Sequence, residues 1–310
     1  MNATPQAELV AAAHTHIDAG IESGDTGDLK VVGFGEITLA VAWPTQAPRI
    51  VVKRLPPFRS RTEYDTYEQV LEDWFAAMRE RGVDVVDTEL HAVPHQRWGT
   101  VGYLAQPLLS PDELALHRVR SGTDDEAEAV LGAIIEAVGR GIDERVACDA
   151  QLPNWQVRND GSVALMDVST PFIRDTAGRD RLSTDLFVRG YPAVLRPALA
   201  RLVLPSVIDA YHTPRTAVRD FAGNLIRLGL DRHLGFVLRR ARERLSVELT
   251  EAEVRTFFDS DTRMWGVLQS LRRADKRWQE GVRRRPYPAL LPPRYDPRTD
   301  YSPSGTHRGA

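Results

Sequence analysis

The pattern of apolar and polar residues changes once along the chain, from strand-like in the first third to mainly helical afterwards. An Ala-rich pattern of helical period covers residues 8–17, and Gly20 with the Gly-Asp run behind it is predicted to end that helix. Three strand-like runs begin at Leu29. They read KVVGFGEITLAVAW, which is two runs joined at glycines, and RIVVKRL, which follows the Pro-rich turn PTQAP.

One long helix and two more strand candidates complete this first part. Apolar residues at three-and-four spacing over residues 63–81 predict an amphipathic helix that ends at Gly82. The further strand candidates are residues 83–93 and 100–106. Together these runs predict a five-stranded antiparallel sheet with one helix inserted after its third strand.

The second part is predicted to be mainly helical around one hairpin. A helix runs from Asp124 through EAEAVLGAIIEAVGRGI, and the loop CDAQLPNW follows it. The Asn-Asp-Gly turn of residues 159–161 predicts a hairpin, whose second strand ends in ALMDVSTPF. After Asp180 the pattern is nearly all helical.

Two features mark the C-terminal end of the sequence. Thr250 and Glu253 form a capping box that predicts a short helix before Phe258, and a separate long helix is predicted over MWGVLQSLRRADKRWQEGV. The Pro-rich, basic segment from Arg285 is predicted to be extended or disordered past Tyr295.

Composition narrows the class of protein. The chain has 310 residues, of which 42% are hydrophobic, enough for one large domain or two lobes. The 40 Lys and Arg nearly balance the 43 Asp and Glu, so no nucleic-acid partner and no membrane partner are expected. Cys148 is the single cysteine, which excludes an internal disulfide and a thiolate metal cluster and fits a reducing cytoplasm. The N-terminus carries no basic leader, and no segment approaches the ~20 apolar residues of a membrane span.

The polar residues that stand out follow a definite order. A glycine turn, Gly33-Phe34-Gly35, lies between two strands, and Lys53 closes the third strand. The amphipathic helix of residues 63–81 comes next and contains the acids Glu68 and Glu72. Asp149 and Asn154 form an Asp-x-x-x-x-Asn motif before the hairpin, and Asp167 ends the apolar run after it.

This order resembles the protein-kinase-like superfamily over residues 29–175, and within it the small-molecule and aminoglycoside phosphotransferase branch. The sequence also resembles an uncharacterised bacterial family with the same arrangement, which brings no known substrate. The resemblance implies an α+β, two-lobed fold that binds ATP and Mg²⁺ between the lobes. The predicted parts are a helical lead-in (1–24), a nucleotide-binding sheet lobe (25–107), a helical lobe with the catalytic loop (108–295) and a flexible tail (296–310).

The resemblance also implies a role for each residue of the set. The amides of Gly33 and Gly35 would approach the phosphates of ATP, although a simple hairpin turn explains these glycines equally well. Lys53 would hold the α- and β-phosphates and pair with an acid of the following helix. The preferred acid is Glu68, with Glu72 as the alternative.

The remaining implied roles lie around the hinge and the catalytic loop. The backbone at Gln106 and Leu108 would meet the adenine. Asp149 would accept the proton of an attacking hydroxyl, and Asn154 and Asp167 would bind Mg²⁺. The implied acceptor is a hydroxyl of a small metabolite or a peptide.

Two departures from the superfamily pattern keep a second hypothesis open. Ala147 stands where a His often steadies the loop, and Gln151 stands where a Lys or His would offset phosphoryl charge. The alternatives are therefore a pseudokinase that binds nucleotide or acts as a scaffold, and an enzyme of the same fold that transfers an adenylyl group or phosphorylates a peptide. Asp185 resembles an aspartate that packs beneath the loop, but helix capping explains it as simply. Cys148 is predicted to be a buried small residue.

Overall fold

The computed structural model describes residues 5–25, 27–35, 38–285 and 287–292. The first part of the chain forms the elements α1 (Pro5–Ser23), β1 (Lys30–Phe34), β2 (Leu39–Trp43), β3 (Ile50–Arg54), α2 (Arg61–Glu80), β4 (Asp84–Val85), β5 (Glu89–His95) and β6 (Gly99–Pro107). The predicted tail, residues 296–310, lies outside the described residues.

The second part is mainly helical. Its elements are α3 (Ala115–Ser121), α4 (Asp124–Gly141), β7 (Val146–Ala147), β8 (Trp155–Val157), β9 (Val163–Leu165), β10 (Phe172–Ile173), α5 (Asp185–Val188), α6 (Arg196–Ala198), α7 (Leu204–Tyr211), α8 (Pro214–Arg227), α9 (Leu234–Leu245) and α10 (Glu251–Gly281). A π-helical turn, Leu199–Val203, joins α6 to α7, and the predicted hairpin is confirmed as β8 and β9, with Trp155 opposite Leu165.

The predicted five-stranded antiparallel sheet is confirmed, in the order β1-β2-β3-β6-β5. Alternation along β3 sends neighbouring side chains to opposite faces. Val52 packs in the apolar cluster that also contains residues of α1. Lys53 lies on the opposite face of the sheet, beside its cross-strand partner Leu104 of β6. The two-lobed α+β layout is therefore observed, with Lys53 on the face that looks towards the helical lobe.

The prediction of one continuous strand over residues 83–93 is wrong, because two separate strands, β4 and β5, cover this stretch. Its beginning, β4, pairs in parallel with β9 of the other lobe, and only β5 joins the five-stranded sheet. The amide of Val86 continues the contact by donating to the carbonyl of Leu165 at 2.9 Å. The buried side chain of Val83 and the partly buried Val85 explain the split, because they pack in the core cluster that contains residues of α2 and draw this stretch towards the hairpin.

The first helix is predicted to stop at Gly20 and the Gly-Asp run after it, and only the second of these two signals is confirmed, because Gly24 and Asp25 follow the end of α1. The helix continues to Ser23, and Gly20 lies inside it. A Cβ on Gly20 would lie 2.9 Å from the carbonyl oxygen of Asp25 and 3.0 Å from Cδ1 of Leu29. Glycine is therefore needed here because the returning chain passes close to the helix, not because the helix stops.

Helix α2 follows its predicted pattern and connects the two lobes. Ser60 caps it by accepting a hydrogen bond from the Glu63 amide at 3.2 Å, and Gly82, with φ of 67°, follows its end. The indole of Trp74, which is fully buried, donates to the carbonyl of Ala147 at 2.8 Å. One face of α2 thus packs into the core of the helical lobe and hydrogen-bonds to β7.

The capping box of Thr250 and Glu253 is confirmed, but the helix that it opens is not short. Helix α10 is continuous for 31 residues, through Phe258 to Gly281. The intervening segment Asp259-Ser260-Asp261-Thr262 has only modest helix propensity, but it contains no Pro or Gly that would break a helix. Because α10 also packs along α8, the helix continues through this segment. No helix among the described residues has the length and apolar character needed to cross a bilayer.

The chain after α10 returns to the sheet lobe. The hydroxyl of Tyr287 donates to the carbonyl of Gly190, and the buried guanidinium of Arg54 donates to the carbonyl of Pro288 at 2.9 Å. Leu290 then packs in the apolar cluster between α1 and the sheet. Residues 287–292 thereby touch both lobes and limit their relative movement.

Trp74→Phe is expected to lower the free energy of unfolding by about 2 to 4 kcal/mol, because it leaves the Ala147 carbonyl without its donor and opens space in the core. Urea unfolding measures this loss. As a control, Tyr64→Phe removes only a hydroxyl that donates to half-buried Glu68, and it should cost less than about 1.5 kcal/mol. Equal losses of unfolding free energy in the two variants would contradict the role of Trp74 in connecting α2 to the helical lobe.

Candidate active site

The carbonyl of Met166 is the point where the sheet meets the hairpin of the helical lobe. Lys53 donates to it from Nζ at 2.7 Å, and Gln106 of β6 donates to it from Nε2 at 2.9 Å. Gln106 is buried, and its amide also donates to the Thr88 hydroxyl at 2.9 Å. Because the two donors come from neighbouring strands, the peptide before Asp167 is held from two positions on one sheet face.

Asp167 follows this peptide and faces Lys53. Its Oδ1 lies 3.6 Å from Nζ of Lys53 and accepts hydrogen bonds from the amide of Ser169 at 3.2 Å and from its hydroxyl at 2.8 Å. Burial alone would raise the pKa of this carboxyl, but the charge of Lys53 and the Ser169 hydrogen bonds outweigh burial and hold the pKa of Asp167 below its ordinary value. The carboxylate is therefore ionised at neutral pH, as metal binding requires.

Asn154 is placed beside Asp167 by the hairpin. The amide of Met166 donates to the carbonyl of Asn154 at 2.7 Å, and Nδ2 of Asn154 donates to the carbonyl of Asp149 at 3.2 Å. The side-chain oxygen of Asn154 takes no part in these bonds. An amide oxygen and a carboxylate suit Mg²⁺, which proteins hold with one or two carboxylates while waters and substrate phosphates complete its shell.

A fuller metal cage is absent from the part of the chain that the structure describes, where no group of three or more His, Cys, Asp or Glu is arranged to hold an ion. The donor set of Asn154 and Asp167 therefore fits a magnesium ion that arrives with a nucleotide better than a permanently bound metal.

Asp149 is half-buried at the end of β7. Its Oδ1 accepts a hydrogen bond from the amide of Gln151 at 3.2 Å. Burial, followed by the negative charges of Asp220 and Asp167, raises the pKa of Asp149 to about 8. A carboxyl in this setting releases its proton readily once a cation lies near it.

The loop around Asp149 is steadied by two tryptophans. The indole of Trp74 donates to the carbonyl of Ala147, and the indole of Trp155 donates to the carbonyl of Ala150 at 2.9 Å. Ala147 itself is buried and pairs with Phe172 of β10. Ala147 cannot supply the side-chain hydrogen bond that a His would give at this position, and indole donors from α2 and β8 support the loop instead.

Gln151 belongs to a polar network with helix α8. Its Nε2 donates to Asp220 at 3.1 Å, and its Oε1 accepts from Nδ2 of Asn224 at 3.2 Å. The Oδ1 of Asn224 accepts the amide of Leu152 at 3.2 Å. Burial raises the pKa of Asp220 to about 6, although the hydrogen bond from Gln151 opposes that shift. Both the nitrogen and the oxygen of the Gln151 side-chain amide are therefore hydrogen-bonded within the protein.

Sequence reasoning did not find Asp220 and Asn224. The signal that could have found them is the pair of polar residues, one helical turn apart, among the apolar positions of α8. The sequence pointed instead to Asp185 as an aspartate beneath the loop. That residue is 45% exposed and pairs with Arg59 at 3.1 Å, so it supports the contact of α5 with the sheet lobe.

The predicted ion pair between Lys53 and Glu68, or its alternative with Glu72, is not formed. Among the described contacts Lys53 pairs with Asp167, Glu68 accepts a hydrogen bond from Tyr64 at 3.2 Å, and Glu72 is exposed. The buried ring of Tyr67 occupies the space between α2 and the site, and its hydroxyl donates to the carbonyl of Ser169 at 3.1 Å. Helix α2 therefore contacts the segment after Asp167 through a neutral hydrogen bond.

The glycine turn has a local structural explanation. The amide of Gly35 donates to the carbonyl of Thr38 at 2.9 Å, and a Cβ on Gly35 would lie 2.4 Å from the Thr38 hydroxyl oxygen. A Cβ on Gly33 would meet only Ala40, at an ordinary 3.8 Å. A side chain at position 35 would thus need the Thr38 hydroxyl to move, and contact of either glycine with phosphate stays a prediction.

The predicted contact of adenine with the backbone at Gln106 and Leu108 is only partly compatible with the observed hydrogen bonds. The amide of Leu108 donates to the carbonyl of Arg49 at 3.2 Å, which extends the pairing of β3 and β6 past Pro107. That amide is committed to the sheet, and Gln106 uses its side chain to hold Met166. Adenine contact by this segment stays a prediction. Cys148 is buried as predicted, and burial raises the pKa of its thiol.

The five-stranded sheet of the first lobe and the helical second lobe define a two-lobed α+β fold, and the β8–β9 hairpin brings Lys53, Asp149, Asn154 and Asp167 together where the lobes meet. The chain belongs to a family of unknown function, DUF6206, whose family model matches residues 14–276. A comparison with curated proteins gave no match. Among solved structures the chain is similar to one described as WaaP in complex with acyl carrier protein, at 15% identity and a TM-score of 0.41, over 79% of this chain and 91% of that one.

Asp149→Asn is expected to make stability less sensitive to pH. The folded pKa of Asp149, about 8, lies above its unfolded value of about 4, so the folded state binds the proton more tightly. This proton-linked stability is complete below pH 4 and is lost as pH rises towards 8. An unscreened shift would cost roughly 4 kcal/mol between pH 5 and pH 8.5. Because solvent screens a half-buried carboxyl, the wild type should lose about 1 to 2 kcal/mol more than Asp149→Asn in urea unfolding.

The exposed Asp112, with 85% of its side chain accessible, provides the control. Asp112→Asn should follow the wild type across the same pH range. Parallel curves for the wild type and Asp149→Asn would contradict a raised pKa at Asp149.

Proposed function

We propose that this protein is an ATP- and Mg²⁺-dependent phosphotransferase that acts on a hydroxyl of a small metabolite or biosynthetic intermediate. The observation that carries the proposal is the convergence of Lys53, Asp149, Asn154 and Asp167, which are far apart in sequence, around the peptide of Met166. A lysine, a metal-binding pair and a half-buried acid in one place are the groups that phosphoryl transfer needs.

In the proposed reaction the acceptor oxygen forms a bond to the γ-phosphorus of ATP, the bond from that phosphorus to the bridging oxygen breaks, and ADP leaves. The proton of the acceptor hydroxyl passes to the carboxylate of Asp149. Lys53 holds the phosphates by charge-assisted hydrogen bonds, and Asn154 and Asp167 hold Mg²⁺. The bound ion supplies positive charge that offsets the charge on the phosphate oxygens.

The electrostatics of the site support this assignment. Burial, and after it the negative charges of Asp220 and Asp167, keep the pKa of Asp149 high. Positive charge near Asp149 would favour its ionised form and lower that pKa towards neutrality, the range in which a general base works best. The base would thus be ready only when metal and nucleotide are in place.

A pseudokinase is the second candidate, and Gln151 is the observation that favours it. The amide of Gln151 carries no charge and is engaged by Asp220 and Asn224, so it adds no cation to the phosphoryl group. In that case the protein would bind nucleotide without transferring phosphate. Both candidate functions predict nucleotide binding, but only the phosphotransferase predicts turnover.

Calorimetric titration with ATP, with and without Mg²⁺, tests nucleotide binding. The wild type is expected to bind in a Mg²⁺-dependent manner, Asp167→Ala to lose that dependence, and Lys53→Ala to bind at least about tenfold more weakly, which corresponds to about 1.4 kcal/mol. Lys276→Ala, which removes a lysine paired with Glu280 on α10, is the control and should bind as the wild type does. No binding by the wild type would refute the proposal and leave a scaffold.

Turnover separates a phosphotransferase from a pseudokinase. Asp149→Asn should keep ATP affinity within about threefold but reduce ADP release, with water or an added hydroxyl acceptor, by about a hundredfold or more, because the base is missing. Release measured by phosphate- or ADP-coupled assay at equal protein concentration gives the ratio. If the wild type and Asp149→Asn release ADP at the same rate, the pseudokinase hypothesis is the correct one.

A further inference from the structure

The two oxygens of the Asp167 carboxylate have different surroundings. Oδ1 accepts hydrogen bonds from the amide of Ser169 at 3.2 Å and from its hydroxyl at 2.8 Å, and it is the oxygen that lies 3.6 Å from Nζ of Lys53. Oδ2 accepts no hydrogen bond from the residues that the structure describes, and it is not a buried atom. The protein therefore occupies one oxygen and leaves the other open to a ligand.

Ser169 holds Oδ1 independently of Lys53. The ammonium group of Lys53 also donates to the carbonyl of Met166 at 2.7 Å, and in the proposed reaction it binds the phosphates of ATP. The two donors of Ser169 would stay on Oδ1 during that change. Because hydrogen bonds to a carboxylate are stronger than those between neutral groups, two of them at one oxygen restrict the rotation of the carboxylate. The direction of Oδ2 is then fixed as well.

Ser169 is in turn held by helix α2. Its carbonyl accepts a hydrogen bond from the hydroxyl of Tyr67 at 3.1 Å, and both residues are buried. The Tyr67 ring packs beside Phe58, with 5.4 Å between the ring centres. Burial, followed by the negative charge of Asp167, raises the pKa of Tyr67, so the hydroxyl keeps the proton that it donates. Hydrogen bonds on both sides of Ser169 thus connect α2 to Asp167.

A turn of the same kind lies between β8 and β9 and shows what is particular to Asp167. There the amide of Ser162 donates to Oδ1 of Asp160 at 2.9 Å, and Asp160 is exposed. Such turns form locally, because an Asp side chain readily accepts the amide two residues further on. A local turn needs no buried donor from another element. The hydrogen bond of Tyr67 to Ser169 is therefore not explained by the turn alone.

We propose that Ser169 and Tyr67 are positioning residues of the metal site: Ser169 engages Oδ1 of Asp167 so that Oδ2 is the oxygen presented to Mg²⁺, and Tyr67 makes this presentation depend on helix α2. The inference rests on the proposed function, because it takes Asp167 as a ligand of Mg²⁺ that arrives with ATP. Partners that orient a metal ligand typically contribute about 10- to 100-fold to metal affinity.

The test is calorimetric titration of the full chain with ATP, once with saturating Mg²⁺ and once with EDTA in its place. The ratio of the two dissociation constants is the gain in ATP affinity that Mg²⁺ provides. Ser169→Ala is expected to reduce this gain about tenfold and to leave ATP affinity in EDTA within about threefold of the wild type. Tyr67→Phe acts one hydrogen bond further from Asp167 and should reduce the gain about threefold. A purely structural role would lower stability and leave the gain unchanged.

Two variants provide matched controls. Tyr64→Phe also removes a hydroxyl from α2, and the Tyr64 ring likewise lies 5.4 Å from Phe58, but its hydroxyl donates to Glu68. Ser162→Ala removes the hydroxyl of the equivalent turn outside the site. Both should keep the wild-type gain. Ser169→Thr retains a hydroxyl and should keep part of the gain that Ser169→Ala loses.

Thermal unfolding verifies that each variant is folded, and Tyr67→Phe with Ser169→Thr provides the answer if Ser169→Ala is not. An unchanged gain in Ser169→Ala and Tyr67→Phe, together with loss of the gain in Asp167→Ala, would overturn this inference and leave the proposed function standing. Equal losses in the variants and their controls would overturn it too. A wild type that binds ATP equally well with and without Mg²⁺ would refute both the inference and the metal role in the proposed function.

Discussion

The arrangement of the site depends on one backbone oxygen, the carbonyl of Met166. Donors from two sheet strands, Lys53 and Gln106, meet on it, while the amide of the same residue is bonded to Asn154. A peptide held on both sides cannot rotate without losing several buried hydrogen bonds, each costly to leave unpaired. Asp167 therefore has a fixed position relative to the sheet, and the two lobes share one set of bonds.

A second constraint keeps the catalytic loop in place with neutral groups. Indole N–H groups from Trp74 and Trp155 bind the carbonyls on either side of Asp149, and the amides of Gln151 and Asn224 connect the loop to α8. These bonds add rigidity without adding positive charge. The centre consequently stays acidic, with Lys53 as the cation beside Asp167.

Much of the fold could be predicted from patterns that are local in sequence. The alternation of β3, the three-and-four spacing of α2, the Asn-Asp-Gly turn and the Thr250 capping box each depend on a few neighbouring residues. The errors arose where distant contacts decide. Gly20 is explained by the approach of Leu29, β4 by its pairing with β9, and the continuity of α10 by its packing on α8.

The sequence by itself indicated the candidate residues, because Lys53, Asp149, Asn154 and Asp167 stand at spacings that the strand and loop pattern makes recognisable. Only the tertiary structure decided their partners. It paired Lys53 with Asp167 rather than Glu68, and it brought Asp220 of α8 to Gln151. The physical reason is that an ion pair or hydrogen bond acts over a few ångströms, and such a distance between remote segments is set by core packing, which no local pattern records.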